Sequence, residues 1–209
     1  FTGDELVEPG RELGQGQIYN SNRYTLTGLL QSLGCEITDL GIVPDTLEAT
    51  NEVLKRAAAD ADIVITSGGV SVGEADYIKP ILAEMGEISF WKIAMKPGRP
   101  LTFGHVGRAL FFGLPGNPVS AYMCFRNFVR PVLAELQGTT YFDTTLTAIV
   151  SEEMFNWGKR ALFVRVKIEN RPNQLALVKE VSHQGSHMLS SIAHADGYVV
   201  LQPGEVLQP

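Results

Sequence analysis

The chain has few of the features that mark secreted, membrane or disulfide-stapled proteins. Its 209 residues include only two cysteines, Cys35 and Cys124. Both lie in apolar stretches, which favours reduced core thiols over a disulfide. No apolar run approaches the roughly 18 residues that span a bilayer, and no charged-then-apolar signal segment opens the chain. We therefore expect a cytoplasmic protein that does not associate with membranes.

Basic residues are also scarce. There are 17 Lys and Arg against 23 Asp and Glu, a formal net charge of −6, which argues against nucleic-acid binding by a basic surface. An anionic substrate stays possible, because a few cations can dominate the potential of one cleft. The chain also lacks an initiator Met, and residues 1–5 look like the end of a strand entering a loop. We therefore expect a C-terminal piece of a longer protein.

Helical and strand-like segments alternate between residues 17 and 136. The β-branched run at residues 62–67 is typical of a strand buried on both faces of a parallel sheet. Further strands are predicted at residues 35–40, 88–94, 101–104 and 109–113. Helices are predicted after a cap at Asn20 or Ser21, after Asp45 with Glu48, around residues 77–85, and over residues 118–136. This order predicts an α/β fold, a mostly parallel open sheet with helices on both faces.

The pattern changes after Gly138, where short strands alternate with turns. Strands are predicted at residues 146–150, 162–168, 175–181 and 198–201. Some 70 residues of this kind indicate a small all-β barrel or a sandwich, and we expect the barrel. The sequence therefore predicts two domains, an α/β domain at residues 1–140 and a C-terminal β-barrel domain at residues 141–209.

A glycine-rich loop follows the predicted buried strand, with Ser67, Gly68, Gly69 and Ser71. Glycines at the carboxyl end of a strand let backbone N–H groups converge on an anion, and open α/β sheets bind ligands at that edge. The loop matches neither the dinucleotide G-x-G-x-x-G pattern nor the P-loop pattern. A tight turn without a ligand is the alternative.

Three carboxylates, Glu5, Asp45 and Asp76, each follow a predicted strand. The fold would carry all three to the same edge of the sheet. Carboxylates beside a phosphate site usually hold Mg²⁺, which prefers oxygen ligands. Helix capping is the alternative for Asp45 and Asp76, since both stand where an N-cap residue would.

Two more loops are stiffened by proline and glycine. Lys92 and Lys96 are predicted on the same face of an extended strand, and with Arg99 they supply three cations suited to oxyanions. A solvated edge with scattered charges is the alternative. Residues 113–120 precede a long helix whose N-terminal N–H groups would face a ligand, or else form a rigid connector.

Two other reactive groups are disfavoured. His183 and His187 have the spacing of a helical metal pair, but the intervening Gly185 argues against the helix, and no Cys or third His lies nearby. Cys124 is disfavoured as a nucleophile, because it is predicted within a helix and has no His in its sequence neighbourhood.

In this order the motifs resemble those of the MoeA family of molybdopterin molybdenumtransferases, whose eukaryotic relatives include the E domain of gephyrin. The resemblance rests on residues 2–6, residues 67–73 with Asp76, residues 95–100, residues 113–120 and residues 183–186. It runs from the first residues to nearly the last and corresponds to the family's C-terminal two domains. Arg99 stands where many relatives have Lys.

The resemblance implies a Mg²⁺-dependent transferase of molybdenum cofactor biosynthesis, which inserts molybdate into adenylylated molybdopterin and releases AMP. It also implies a homodimer with two preceding domains, so full activity of this chain alone is not expected. The implied catalytic residues are Asp45, Asp76, Lys92 and Lys96. The implied ligands of Mg²⁺ are Glu5, Asp45 and Asp76.

The resemblance also implies a substrate-binding set. Arg165, Ser120 and Ser186 would line the molybdate pocket, with a strand arginine whose head is solvated as the alternative for Arg165. The other substrate-binding residues implied are Glu5, Ser67, Gly68, Gly69, Ser71, Pro97, Gly98, Arg99, Asn117 and Pro118. Lys, Arg and Ser suit the molybdate dianion, and the soft sulfur ligands come from the pterin, which explains why the protein offers no thiolate.

Two other functions stay open. Molybdopterin adenylyltransferases share the α/β domain and a similar Gly-Gly loop, although the segment Pro115–Ser120 and the appended β domain favour the MoeA family. A non-enzymatic scaffold module, as in gephyrin, is the second alternative. The acidic and basic residues described above favour an enzyme.

Overall fold

The computed structural model describes residues 1–69, 77–90 and 92–209. The helices are α1 (Ser21–Ser32), α2 (Leu47–Asp60), α3 (Ile78–Met85), α4 (Pro118–Cys124), α5 (Arg130–Leu136) and α6 (Ser190–Ala193), with a π-helical turn at Phe125–Val129. The strands before residue 140 are β1 (Leu6–Val7), β2 (Ile18–Tyr19), β3 (Ile63–Ser67), β4 (Gly86–Phe90), β5 (Met95–Lys96), β6 (Thr102–Val106) and β7 (Ala109–Leu114). The later strands are β8 (Ala148–Val150), β9 (Met154–Phe155), β10 (Ala161–Glu169), β11 (Ala176–Glu180), β12 (Gly197–Leu201) and β13 (Val206–Leu207).

A four-stranded mixed sheet, in the order β3-β7-β6-β4, organises the first region. β3 and β7 are parallel, whereas β6 is antiparallel to both β7 and β4. The prediction of a mostly parallel sheet is therefore wrong for this sheet. Only Gly107 and Arg108 connect β6 to β7, and a parallel pair needs a crossover of roughly a dozen residues.

Parallel pairing continues beyond β3 through short extended segments. The N–H of Thr2 donates to the carbonyl of Ser67 at 3.2 Å, and Thr2 forms a parallel bridge with Val43. The predicted strand at residues 35–40 is absent, because the chain turns there: Asp39 accepts hydrogen bonds from the N–H of Gly41 and from Arg23. The ends of these segments and of β3 meet at one edge of the sheet.

Helices cover both faces of the sheet, as predicted. β7 shows this clearly, because its alternate residues enter different cores. Phe112 packs in a cluster with Leu26 of α1 and with α4, while Phe111 packs in a second cluster with Leu54 of α2 and with α3. No helix in the described residues is long and apolar enough to cross a membrane.

The C-terminal region has its own core and sheet. All four strands predicted there are present, and they form the path β12-β10-β11-β8. β5 from the first region pairs with the start of β10, and β13 pairs with β9 separately. The predicted barrel is not confirmed, because in the described part of the chain the outer strands β12 and β8 do not pair with each other. The domain boundary near residue 140 stays a prediction.

Candidate active site

Two loops meet where the parallel strands β3 and β7 end. The N–H of Gly68 donates to the carbonyl of Leu114 at 3.1 Å. A Cβ atom built on Gly116 would lie 3.8 Å from the Cα of Gly68, so the loop after β7 runs beside the glycine loop. This is the edge at which open α/β sheets bind ligands. Ser71 and Asp76 lie outside the described residues.

The glycine pair has a packing reason of its own. Gly68 and Gly69 both adopt positive φ, at 90° and 64°. A Cβ atom on Gly68 would overlap the backbone oxygen of Thr2, and one on Gly69 would lie 2.6 Å from the hydroxyl of Thr2. The absence of side chains therefore lets the first residues of the chain pack directly against the loop. A ligand is not needed to explain these glycines.

Asn22, which sequence reasoning missed, ties the two loops together. Its side-chain N–H₂ donates to the hydroxyl of Ser67 and to the carbonyl of Gly116, each at 2.7 Å. Ser67 in turn donates to the carbonyl of Pro115 at 3.2 Å. Asn22 is only 7% exposed. Its partners lie far along the chain, so no local pattern could have indicated this role.

Some buried polar atoms at this edge have no hydrogen-bond partner in the described part of the chain. Among the described residues, the Thr2 hydroxyl, the Asn22 side-chain oxygen and the Thr66 hydroxyl are buried and make no hydrogen bond. Buried polar groups in folded proteins are normally paired. The edge therefore has hydrogen-bonding capacity that a bound polar ligand would satisfy.

We expect Asn22→Ala to loosen this edge. The substitution removes two hydrogen bonds and leaves a buried hydroxyl and carbonyl with fewer partners, which should lower the free energy of unfolding by about 1–3 kcal/mol. Denaturant unfolding would measure the change. Gln31→Ala, at an exposed position of the same helix, is the control. A loss no larger than that of the control would contradict the role of Asn22.

Acidic side chains gather beside the same edge. The N–H of Asp45 donates to the carboxylate of Asp4 at 3.4 Å. Partial burial, and then the charges of Asp4 and Glu5, raise the pKa of Asp45. The hydroxyl of Thr46, not Asp45, caps α2 by accepting from the N–H of Ala49 at 3.2 Å. Capping is therefore the wrong explanation for Asp45.

Glu5 and Asp4 complete the acidic group. Glu5 is exposed, and its carboxylate folds back over Gly3, where a Cβ atom would lie 2.6 Å from the Glu5 Oε2. Asp4 was not predicted, because its proximity to Asp45 depends on the packing of the first residues beside residue 43. Within the described ranges, no three His, Cys, Asp or Glu side chains form a cluster able to hold a metal ion.

The cationic loop is only partly as predicted. β4 ends at Phe90, so Lys92 is outside the strand, and even spacing no longer places it on the face of Lys96. Both lysines and Arg99 are exposed, and the N–H of Ile93 donates to the carbonyl of Arg99 at 3.0 Å. The loop therefore closes on itself and presents its cations to solvent.

The buried half of this loop packs on α4. Pro97 and Gly98 are buried, and Gly98 has a φ of 114°. A Cβ atom on Gly98 would lie 2.8 Å from the Sγ of Cys124, whose thiol donates to the Gly98 carbonyl at 3.4 Å. Burial raises the pKa of the Cys124 thiol to about 12. The thiol is therefore protonated at neutral pH, which agrees with excluding it as a nucleophile.

Arg165 lies inside the protein and not at its surface. It is 1% exposed, which overturns the alternative of a solvated head. Its Nη2 donates to the carbonyl of His183 at 3.4 Å, and its Nε is buried without a partner. Burial lowers the pKa of Arg165, while the charge of Glu180 opposes that change. In the described part of the chain Arg165 forms no salt bridge, so this buried cation has capacity for an anion.

The segment from His183 to Ser186 connects Arg165 to the start of α4. The side chain of Gln184 accepts from the N–H of Arg165 at 3.1 Å and donates to its carbonyl at 2.8 Å. The carbonyl of Ser186 accepts from the N–H of Val119 at 3.0 Å, next to the buried Ser120. Arg165, Ser186 and Ser120 therefore belong to one connected structure.

The other predicted residues lie around these two groups. Asn117 is exposed, and Pro118 occupies the first position of α4. Lys96 lies in β5, which pairs with β10 three residues before Arg165. Lys92 is exposed and belongs to neither group of contacts among the described residues.

Two protein-family models match the chain. The one described as "Probable molybdopterin binding domain" matches residues 1–135, and the one described as "MoeA C-terminal region (domain IV)" matches residues 147–209. The molybdopterin molybdenumtransferase of Haemophilus influenzae is 44% identical over 204 residues, which are 96% of this chain and 50% of that protein. The enzyme of the same name from Nostoc sp. is 37% identical over 98% of this chain and 48% of its own length.

Solved structures give the same result. The MoeA protein of Pyrococcus horikoshii superposes with a TM-score of 0.78 at 31% identity, covering 99% of this chain and 50% of that one. The chain thus spans about half the length of the curated relatives it matches.

Proposed function

The chain belongs to the MoeA family of molybdopterin molybdenumtransferases, and we propose that it carries the residues that insert molybdate into adenylylated molybdopterin with release of AMP. The observation that carries this proposal is Arg165, a buried cation with an unpartnered Nε, joined through Gln184 and Ser186 to the start of α4. A dianion such as molybdate would compensate the charge, and Ser120 and Ser186 would add hydroxyl donors.

Release of AMP requires the break of a bond between two phosphoryl groups, with negative charge growing on the leaving phosphate. Fixed cations and N–H donors lower the barrier of such a reaction mainly by stabilising this charge. Lys96 and Arg99 would do so from the exposed side of their loop, and the loop after β3 would position the substrate. The pterin supplies sulfur ligands for molybdenum, so no protein thiolate is required.

We also propose that the acidic group beside the sheet edge binds Mg²⁺ together with a substrate phosphate. Asp4, Glu5 and Asp45 do not by themselves form a complete metal site, but Asp4 and Asp45 are in contact. Burial and then the charges of Asp4 and Glu5 raise the pKa of Asp45, and a divalent cation would relieve the repulsion between these carboxylates. Mg²⁺ needs only one or two carboxylates when phosphates and waters complete its shell. The bound ion would supply charge neutralisation for the phosphates. Asp76 stays a predicted ligand.

We expect Asp45→Asn to stabilise the protein at neutral pH in the absence of Mg²⁺. The folded chain holds the Asp45 proton to higher pH than the unfolded chain does, so stability falls as pH rises through the raised pKa. The neutral amide avoids this loss. The gain should be below about 1 kcal/mol, since the carboxylate is partly solvated, and it should vanish at acidic pH. Thermal melting across pH would measure it.

Asp39→Asn is the matched control of opposite sign. Burial opposes the charge of Asp39, but hydrogen bonds from the Gly41 N–H and from Arg23 hold the pKa of this carboxyl below its usual range. This substitution should therefore destabilise the protein at neutral pH. Mg²⁺ should raise the melting temperature of the wild type but not of Asp45→Asn. Equal Mg²⁺ responses would contradict the proposed site.

The function is tested by incubating the native protein with adenylylated molybdopterin, molybdate and Mg²⁺. We expect AMP to appear in step with molybdenum cofactor. Conversion of free molybdopterin and ATP instead would indicate an adenylyltransferase, a reading that the match to the MoeA C-terminal region disfavours. That the native protein is a cytoplasmic homodimer stays a prediction of the family resemblance.

A further inference from the structure

A cleft lies between β5 and the loop that follows β9. It has a volume of about 320 Å³ and is lined by Lys96 together with Phe155, Trp157, Lys159 and Arg160. Of these residues only Lys96 was predicted from the sequence to bind substrate. The cleft therefore adjoins the proposed active site without being explained by it.

A buried asparagine holds the loop in place. Asn156 is 5% exposed, and its side-chain N–H₂ donates to the carbonyls of Arg160 and Leu201 at 2.8 and 2.9 Å. Its side-chain oxygen accepts from the N–H of Gly158 at 3.0 Å. Every one of these atoms is satisfied inside the protein, so the loop is preorganised without a ligand. Preorganisation of this kind lowers the ordering cost of binding.

Aromatic surface on this loop is left open to solvent. Trp157 is 72% exposed and Phe155 is 48% exposed, and their ring centroids are 5.7 Å apart. Single exposed aromatic side chains are ordinary, but two adjacent rings on a rigid loop offer a stacking platform. A planar ring system is the natural occupant.

Positive charge surrounds the aromatic pair. Lys96, Lys159 and Arg160 reach the cleft from two segments, and none of them forms a salt bridge in the described part of the chain. The described residues that line the cleft include no Asp or Glu. Uncompensated cations beside aromatic faces are suited to a ligand that is both planar and anionic.

We propose that this cleft binds a planar heteroaromatic ring that carries a phosphate group, with the ring stacked on Trp157 and the phosphate held by Lys159, Arg160 and Lys96. This inference rests on the proposed function only for the identity of the natural ligand. Adenylylated molybdopterin contains two units of this kind, a pterin phosphate and AMP. Lys96 would then connect this cleft with the site around Arg165, since β5 and β10 are paired there.

Calorimetric titration of the purified protein with AMP and, separately, with 6-hydroxymethylpterin monophosphate tests the proposal. We expect at least one probe to bind, and the tighter one identifies which half of the substrate the cleft holds. Trp157→Ala should weaken that binding about tenfold or more, because it removes one stacking face. Trp157→Phe should retain most of the affinity. Lys159→Ala should weaken binding and reduce its dependence on salt.

Matched controls separate the cleft from general surface effects. Phe142→Ala removes an aromatic side chain that is 81% exposed elsewhere, and Lys55→Ala removes an exposed cation of α2. Neither should change the Kd. Inorganic phosphate should bind far more weakly than the preferred probe, and Trp157→Ala should not affect it.

Three results would overturn the proposal. The first is that neither probe binds. The second is that Trp157→Ala and Lys159→Ala both retain wild-type affinity, and the third is that phosphate alone binds as tightly as the ring-bearing probes. Failure here is distinct from failure of the proposed function. Stabilisation by molybdate through Arg165 should persist in Trp157→Ala if only the cleft is wrong, whereas loss of that stabilisation in the wild type with intact probe binding would refute the molybdate site alone.

Discussion

Gly68→Ala is expected to lower the free energy of unfolding by roughly 2–5 kcal/mol, the sum of a strained backbone and an overpacked contact. Gly68 has a φ of 90°, which L-residues rarely adopt, and its Cβ position coincides with the backbone oxygen of Thr2. A backbone atom cannot turn aside as a flexible side chain would. The N-terminal segment must therefore move away from β3. Such a loss corresponds to a drop in melting temperature of roughly 5–15 °C for a chain of this size.

Gly10→Ala separates the two contributions. Gly10 has a φ of 94°, almost the same as Gly68, but a Cβ atom there meets nothing within 4 Å. It should carry the backbone strain of about 1–2 kcal/mol without the contact. The difference between the two variants in denaturant unfolding then measures the Thr2 contact. Equal losses of unfolding free energy in the two variants would mean that the N-terminal segment moves away from residue 68 without an energetic penalty. The segment would then not determine the conformation of the glycine loop.

Local patterns were sufficient where neighbouring residues decide the structure. The β-branched run at residues 62–67 became β3, and Asn20 caps α1 as predicted. α3 ends at Met85, with Gly86 as its C-cap, close to the predicted end of this helix at residue 85. Strand starts, caps and stops depend on side chains and dihedral angles within a few residues, and a single sequence contains that information.

Strand partners were harder to predict, because they depend on the path that the chain takes between one strand and the next. The short connection at Gly107 and Arg108 already excluded a parallel pair, yet the alternation of helices and strands suggested one. The prediction of a C-terminal barrel was difficult for the same reason. Strand lengths and turns do not indicate whether the two outer strands of a sheet pair with each other. Thr46, and not Asp45, caps α2 because the helix begins one residue later than the acidic pattern suggested.

Site residues fall into two groups by the same criterion. The glycine and proline loops could be found from composition, because their backbone needs those residues. The burial of Arg165 and the bridging role of Asn22 arise from contacts between distant segments. A strand arginine looks the same in sequence whether its head is solvated or enclosed, so only the packing of residues 183–186 over β10 distinguishes the two.

Arg165→Met is expected to weaken strongly the stabilisation of the protein by molybdate while leaving the fold intact. Methionine keeps much of the side-chain volume, and replacement of a buried charge by an apolar group of similar size is often neutral or stabilising. The unpartnered Nε and the pKa of Arg165, which burial lowers, both indicate that the fold holds this cation at a cost. The melting temperature without ligand should therefore stay the same or rise.

Titration with molybdate should then distinguish the variant from the wild type. A ligand that binds only the folded state raises the melting temperature with concentration, and the wild type should show this rise. Loss of a hydrogen bond to a charged group, about 1.5–3 kcal/mol, should raise the Kd of Arg165→Met for molybdate by roughly 10- to 150-fold. Binding of AMP should hardly change, because its proposed contacts lie elsewhere.

Lys167→Ala is the matched control, since it removes a cation two residues along β10 that pairs at the surface with Asp196 at 3.1 Å. Its response to molybdate should equal that of the wild type, because an exposed ion pair contributes little and lies outside the enclosed site. If both variants lost the molybdate-induced rise in melting temperature, molybdate would be binding through general positive charge and not through Arg165. An equal molybdate-induced rise in melting temperature for Arg165→Met and the wild type would show that Arg165 does not bind molybdate.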